Sequence, residues 1–194
     1  MNTVKTLVII VVGIIASYIV YQGALFTPIV IKKLSFPELN IAYTTFIGPY
    51  HKAYPNVKTV EAFLQEKYGK DFSQEPCFGI YYDNPKEVDP SKCRSVIGKI
   101  LPSNIIPGKS EGAVSFGKIE SMKDTASVDY PMRSILSIYA GIFRVYPKLS
   151  QFYDSLPKGT PRGASFELYG FHGNNTTFMF PLSEAKGIAK EFPQ

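Results

Sequence analysis

Glu167 is the residue in this sequence best placed for chemistry. It lies in Ser165-Phe166-Glu167-Leu168-Tyr169, where apolar Phe166 and Leu168 alternate with Glu167 and Tyr169. A strand sends successive side chains to opposite faces, so the carboxylate and the phenol share one face. Where such a face lines a cleft, the carboxylate binds a cation by charge, and aromatic walls add cation–π attraction. Tyr43 and Tyr82 are the candidate walls. The competing reading is a solvated strand glutamate, with both tyrosines packed in a sheet core.

Other chemistry finds less material. The G-x-S-x-G spacing at Gly108–Gly112 lies inside a Pro/Gly loop and not on a strand-to-helix elbow, and no paired-carboxylate spacing occurs, so no catalytic residue is assigned and an enzyme is not expected, with a hydrolase as the remote alternative. His51 and His172 are the only histidines, and Cys77 and Cys93 lack C-x-x-C spacing, so no metal site is expected. The histidines read as turn or surface residues, and no Cys-x-x-Cys-His haem attachment is present. As free thiols the cysteines suit a reducing compartment, with one disulfide as the alternative. Asp83-Asn84-Pro85 reads as a turn. The 21 basic and 16 acidic residues form no basic run longer than a pair, so direct nucleic-acid binding is not expected.

What positions Glu167 begins with an uncharged apolar run, Leu7 to Phe26. Twenty helical residues span about the 30 Å hydrocarbon core of a bilayer. Tyr18 and Tyr21 suit an interfacial aromatic belt. The run is too long for the apolar core of a signal peptide and has no amphipathic stripe, so residues 1–26 are expected to anchor the chain in a membrane. Lys5 on one side is nearly balanced by Lys32 and Lys33 on the other, which leaves the orientation open.

Residues 27–37, bounded by Pro28 and Pro37, read as a linker, and residues 38–194 as one domain. Leu39–Phe46 is strand-like and stops at Gly48-Pro49. Asn56 is placed to cap a helix carrying Val57, Val60, Leu64 and Tyr68, with Gly69 at its end. Two strands follow, Phe78–Tyr82 and Ser95–Leu101, and then a loop from Pro102 to Ser115. The second half repeats the order. Ile119–Tyr130 is strand-like, and Ile135, Ile138, Ile142, Val145, Leu149, Phe152 and Leu156 form a helical stripe that Pro147 is expected to kink or split. Ser165–Tyr169 and Thr176–Leu182 close the repeat. The reading is α+β: two β-α-β-β units in an antiparallel sheet, both helices on one face, and a concave ligand surface on the other.

The block Tyr81-Tyr82-Asp83-Asn84-Pro85, Pro90-Ser91-Lys92-Cys93-Arg94 and Ile97-Gly98-Lys99-Ile100-Leu101 resembles the testis-expressed protein 264 family, the membrane-anchored branch of the GyrI-like superfamily. Ser134–Ile138 and Phe166–Tyr169 resemble its second half, and the anchor lies in the same place. The resemblance implies a GyrI-like domain on the cytosolic face of the endoplasmic reticulum, in a receptor for reticulophagy. It also implies partners in the autophagy and AAA-unfoldase machinery. The GyrI-like relatives imply a second reading, a module for a small cationic or haem-type ligand. No cofactor is expected.

The family's receptor presents an aromatic-x-x-aliphatic motif on a disordered acidic tail, whereas this sequence stops at Phe192-Pro193-Gln194. Matches at Tyr139–Ile142, Tyr146–Leu149 and Tyr153–Leu156 fall on the helical stripe, where core packing accounts for them. The chain by itself is therefore not expected to bind ubiquitin-like modifiers tightly. Asn174-Asn175-Thr176-Thr177 holds two overlapping sequons in an expected exposed turn, so a cytosolic domain leaves them bare.

Overall fold

The computed structural model describes residues 3–161 and 163–193. Met1 and Asn2 of the expected anchor, and Gln194, lie outside the described residues. Helix α1, Thr3–Gln22, is apolar on every side and buries none of its residues; it is long and apolar enough to cross a membrane.

The rest is built on one antiparallel sheet of eight strands, ordered β1-β6-β8-β7-β3-β4-β2-β5. The strands are β1 (Lys32–Phe36), β2 (Leu39–Ile47), β3 (Cys77–Tyr81), β4 (Arg94–Ile100), β5 (Ser115–Ile119), β6 (Met122–Pro131), β7 (Ser165–Tyr169) and β8 (Asn175–Pro181). Helix α2, Pro55–Tyr68, covers β2 and β4, while α3, Ile135–Asp154, covers β6 and β8. The six inner strands are symmetric about the β7–β3 pair, as two β-α-β-β units meeting edge to edge require. Edge strands β1 and β5 lie outside that repeat. β1 occupies residues expected to form a linker, and β5 precedes β6 after a break at Glu120-Ser121.

Cross-strand partners share a face, so the register sorts every side chain. One face carries Ala42, Ile97, Cys77, Gly79, Glu167 and Phe178, and both helices pack there. The opposite face carries Ile41, Val96, Phe78, Ile80, Phe166 and Leu168, all buried, under the C-terminal segment around Ala189. The sequence pattern makes that face a concave ligand surface; it is instead the main apolar core. The thiols are free, and Cys77 pairs with Lys99, six residues along β4 from Cys93. That separation is roughly 20 Å of strand, too far for a disulfide.

The helix ends follow some local signals and depart from others. Gly69 closes α2 in the left-handed region (φ 62°), its N–H donating to Gln65 O. Asn56 does not cap that helix: it lies one residue inside a helix opened by Pro55, with its side chain donating to Ala53 O. Pro147 does not split α3, which runs unbroken to Asp154 with the proline on its exposed side. The stripe also sits differently from expectation. Ser137, Gly141, Val145 and Leu149 face the sheet, whereas Ile138 and Ile142 line a cleft and Ile135 is exposed. Gly141 permits this close seating, since a Cβ there would stand 2.9 Å from the Phe178 ring.

Candidate functional site

The two helices leave between them a cleft of about 1890 Å³, whose floor is the sheet around the β7–β3 pair. Glu167, directly opposite Gly79, sits in that floor and is 4% exposed. Its carboxylate lies among phenols. Tyr146 from α3 donates to Oε1 at 2.7 Å, and Tyr169 donates to Oε2. The Tyr81 hydroxyl from β3 joins the same network. Gly79 makes room for it: a Cβ at that position would lie 2.6 Å from the Tyr81 hydroxyl. Tyr50 holds the Tyr81 ring edge-on, with centroids 4.8 Å apart.

Burial dominates the electrostatics here. It raises the Glu167 pKa above its ordinary value, against the pull of the three phenolic hydrogen bonds. It also pushes Tyr81, Tyr146 and Tyr169 well above the usual phenol range, and the neighbouring carboxylate adds to the shift. These phenols remain neutral donors at any physiological pH. Among the described residues no Lys, Arg or His forms an ion pair with Glu167. The buried cation nearest along the sheet, Lys99, is already committed. It lies 3.5 Å from Glu61 and donates to Glu75 O at 2.9 Å and Ser73 O at 3.3 Å. A buried carboxylate without a counter-charge is costly. It is relieved by taking a proton or by admitting a cation.

The expected site residues separate. Glu167 and Tyr169 share a face and a hydrogen bond. Tyr82 is one residue beyond Tyr81, packs edge-on against Phe192 and donates to Ile188 O, at the rim of the cleft rather than beside the carboxylate. Tyr43 is on the opposite face, against the main core, and does not reach Glu167. The residues that do surround Glu167 and escape sequence reasoning are Tyr146 and Tyr81. The signal available is the one-residue offset of Tyr81, which shares the parity of Gly79, the residue paired with Glu167.

The histidines stand apart. His51 is exposed, and His172 lies with Nδ1 3.1 Å from Asp129 Oδ1 in a cluster with Thr177. Among the described residues no group of His, Cys, Asp and Glu is arranged to hold a metal.

Residues 30–126 match the model of the GyrI-like small molecule binding domain. The match takes in Tyr81 and stops short of Tyr146, Glu167 and Tyr169. The fold is similar to the crystallised C-terminal domain of EcmrR, with a TM-score of 0.52 at 16% identity over 82% of this chain and 100% of that one. It is also similar to EcmrR in a cryo-electron-microscopy complex with DNA, with a TM-score of 0.50 at 18% identity. That likeness covers 90% of this chain but only 65% of the EcmrR chain. No curated protein matches this sequence.

Proposed function

This chain belongs to the GyrI-like small-molecule-binding domain family, and from that premise we propose that it binds an organic cation in the cleft between α2 and α3, with Glu167 as the counter-charge. One observation carries this reading: a carboxylate buried at the centre of an open cleft, held by three neutral phenols and paired with no basic residue among those described. Phenol rings also suit a delocalised cation, since their faces attract positive charge. The site is read as a binding site rather than a catalytic one, because both carboxylate oxygens are already engaged as acceptors.

The test uses the full chain in lipid nanodiscs with tetraphenylphosphonium as the probe and triphenylphosphine oxide as its neutral counterpart. The expected result is a rise in the thermal midpoint with the cation alone. Equal shifts from both compounds would mean that shape, and not charge, governs the site.

We further propose that α1 spans a membrane and that the domain faces the cytosol at the endoplasmic reticulum. The support is the resemblance to the testis-expressed protein 264 family together with two thiols too far apart to pair. On this reading the protein acts as a tethered adaptor, reaching autophagy or AAA-unfoldase partners through surfaces other than α3. Tyr139–Ile142 and Tyr146–Leu149 are helical and Tyr153–Leu156 straddles the end of α3, whereas such motifs dock in extended form. Asn174 is exposed in the β7–β8 turn, so it reports the orientation. Protein made in eukaryotic cells is expected to keep its mobility after glycosidase treatment. A shift that disappears in Thr176→Ala/Thr177→Ala would place the domain in the lumen.

A further inference from the structure

The first half of α3 breaks the usual rule for a surface helix. Its outward positions are Ile135, Leu136, Tyr139 and Phe143, and all four are exposed, Phe143 to 76%. A solvent-facing helix side is ordinarily polar. Here the first charge is Arg144, and Lys148 follows one turn later.

This face is fixed next to the end of α1. The last carbonyls of a helix have no partner within it; in α1 those of Ile19 and Val20 accept from Gly23 and Leu25 of the following turn, and α3 and its flanks reach the next ones. Arg133 donates to Tyr21 O at 2.7 Å and lies over the Tyr21 ring, 4.4 Å from its centroid. Ser134, the N-cap of α3, donates to Gln22 O at 3.1 Å. Ten residues further along, Arg144 donates to Ala24 O and Thr27 O at 3.2 and 2.9 Å. Buried Tyr130 closes the joint with hydrogen bonds to Gly23 O and Ala24 O. Segment 133–144 is thus tied at both ends to residues 21–27 and lies across the exit of α1. Phe26, in that exit turn, is itself 86% exposed.

We propose that the first half of α3 lies in the lipid–water interface, with Ile135, Leu136, Tyr139 and Phe143 among the acyl chains and Arg144 and Lys148 at the headgroups. The proposal rests on α1 being a membrane span. Where α1 leaves the bilayer, an uncharged apolar face held beside it meets lipid, and the adjoining basic residues suit anionic headgroups. Tyr139 and Phe143 also border the cleft that holds Glu167. The mouth of that cleft therefore opens at the membrane surface, within reach of amphiphiles dissolved in the bilayer.

The sequence has no tryptophan, so single substitutions report position cleanly. Phe143→Trp, Ile135→Trp, Val12→Trp and Ile106→Trp are compared in the full chain, reconstituted in phosphatidylcholine–phosphatidylserine vesicles with and without bromine on the upper acyl chain. Ile106 is the control, exposed on the far lobe beside Tyr68. An interfacial helix sits about 5–10 Å deep, so the Phe143→Trp and Ile135→Trp proteins are expected to lose about half of their emission to bromine. The Ile106→Trp protein is expected to keep its own. Quenching of the Val12→Trp protein alone would leave the span intact and overturn the interfacial helix. An unquenched Val12→Trp protein would overturn both. Blue-shifted emission from Phe143→Trp that bromine leaves bright would mean that protein covers this face, and that too would overturn the proposal.

Discussion

Glu167→Gln is expected to weaken binding of tetraphenylphosphonium by about 10- to 100-fold, the equivalent of a charge-assisted contact of about 1.5–3 kcal/mol. The same substitution is expected to make the ligand-free protein more stable near neutrality. The two effects share a cause. Burial raises the Glu167 pKa in the folded protein, so the native state prefers the protonated acid. Below the ordinary carboxyl range both the folded and the unfolded chain hold the proton, and the residue costs nothing. As pH rises from there to the raised value, the unfolded chain releases its proton while the native state retains it, so stability falls. Above the raised value the full cost persists.

Glutamine keeps the shape and has no such titration, so unfolding of the variant should lack this part of the pH slope. A cation in the cleft stabilises the ionised form, so its binding should strengthen across the same window in which the free protein weakens. Denaturant unfolding and probe titration of both proteins over one pH series check the argument. Parallel stability curves, or unchanged affinity in the variant, would remove Glu167 from the role.

Much of this is legible in the sequence because it depends on local periods. Alternation places Glu167 and Tyr169 on one face, Gly69 announces the end of α2, and the doubled β-α-β-β order emerges from turns and stripes. What is not legible depends on pairing between distant segments. Period-2 reasoning says which residues share a face but not which face the helices cover. It therefore assigns the ligand surface to the side that proves to be the core.

Tyr82 comes to lie away from Glu167 for the same reason. Sequence reasoning prefers Tyr82 to Tyr81, and a one-residue offset in a strand sends the ring elsewhere. Tyr146 reads as part of a packing stripe. The true seating of α3 is rotated because Ser137 and Gly141 are small enough to bring it close to the sheet. A hydrophobicity pattern ranks isoleucine above glycine for the buried side, although the closest helix–sheet contact needs the smaller residue. β1 escapes because an edge strand pairs on one side only, and four of its five residues are exposed.

Gly98→Ala is expected to cost about 3 kcal/mol of stability, at the upper end of what overpacking does. Gly98 lies in β4, paired with Tyr43 of β2 on one side and Phe78 of β3 on the other. A Cβ there would stand 2.0 Å from Ala42 O and 2.8 Å from Tyr43 Cα. Both are backbone atoms of a strand already fixed by pairing with β4 and β5, so no rotamer change relieves the clash. β2 must move away, and with it the Ala42 contact that seats α2 through Val60 and Leu64.

Gly79→Ala provides the internal comparison. There the added methyl meets the end of the Tyr81 side chain, at 2.6 Å from its hydroxyl, and that ring can swing. The Gly79 variant is therefore expected to fold with a smaller loss and to disturb the phenol network around Glu167, while the Gly98 variant loses stability through the sheet itself. Chemical denaturation of the two side by side decides the matter. A Gly98→Ala protein as stable as the parent would mean that β2 does not approach β4 so closely.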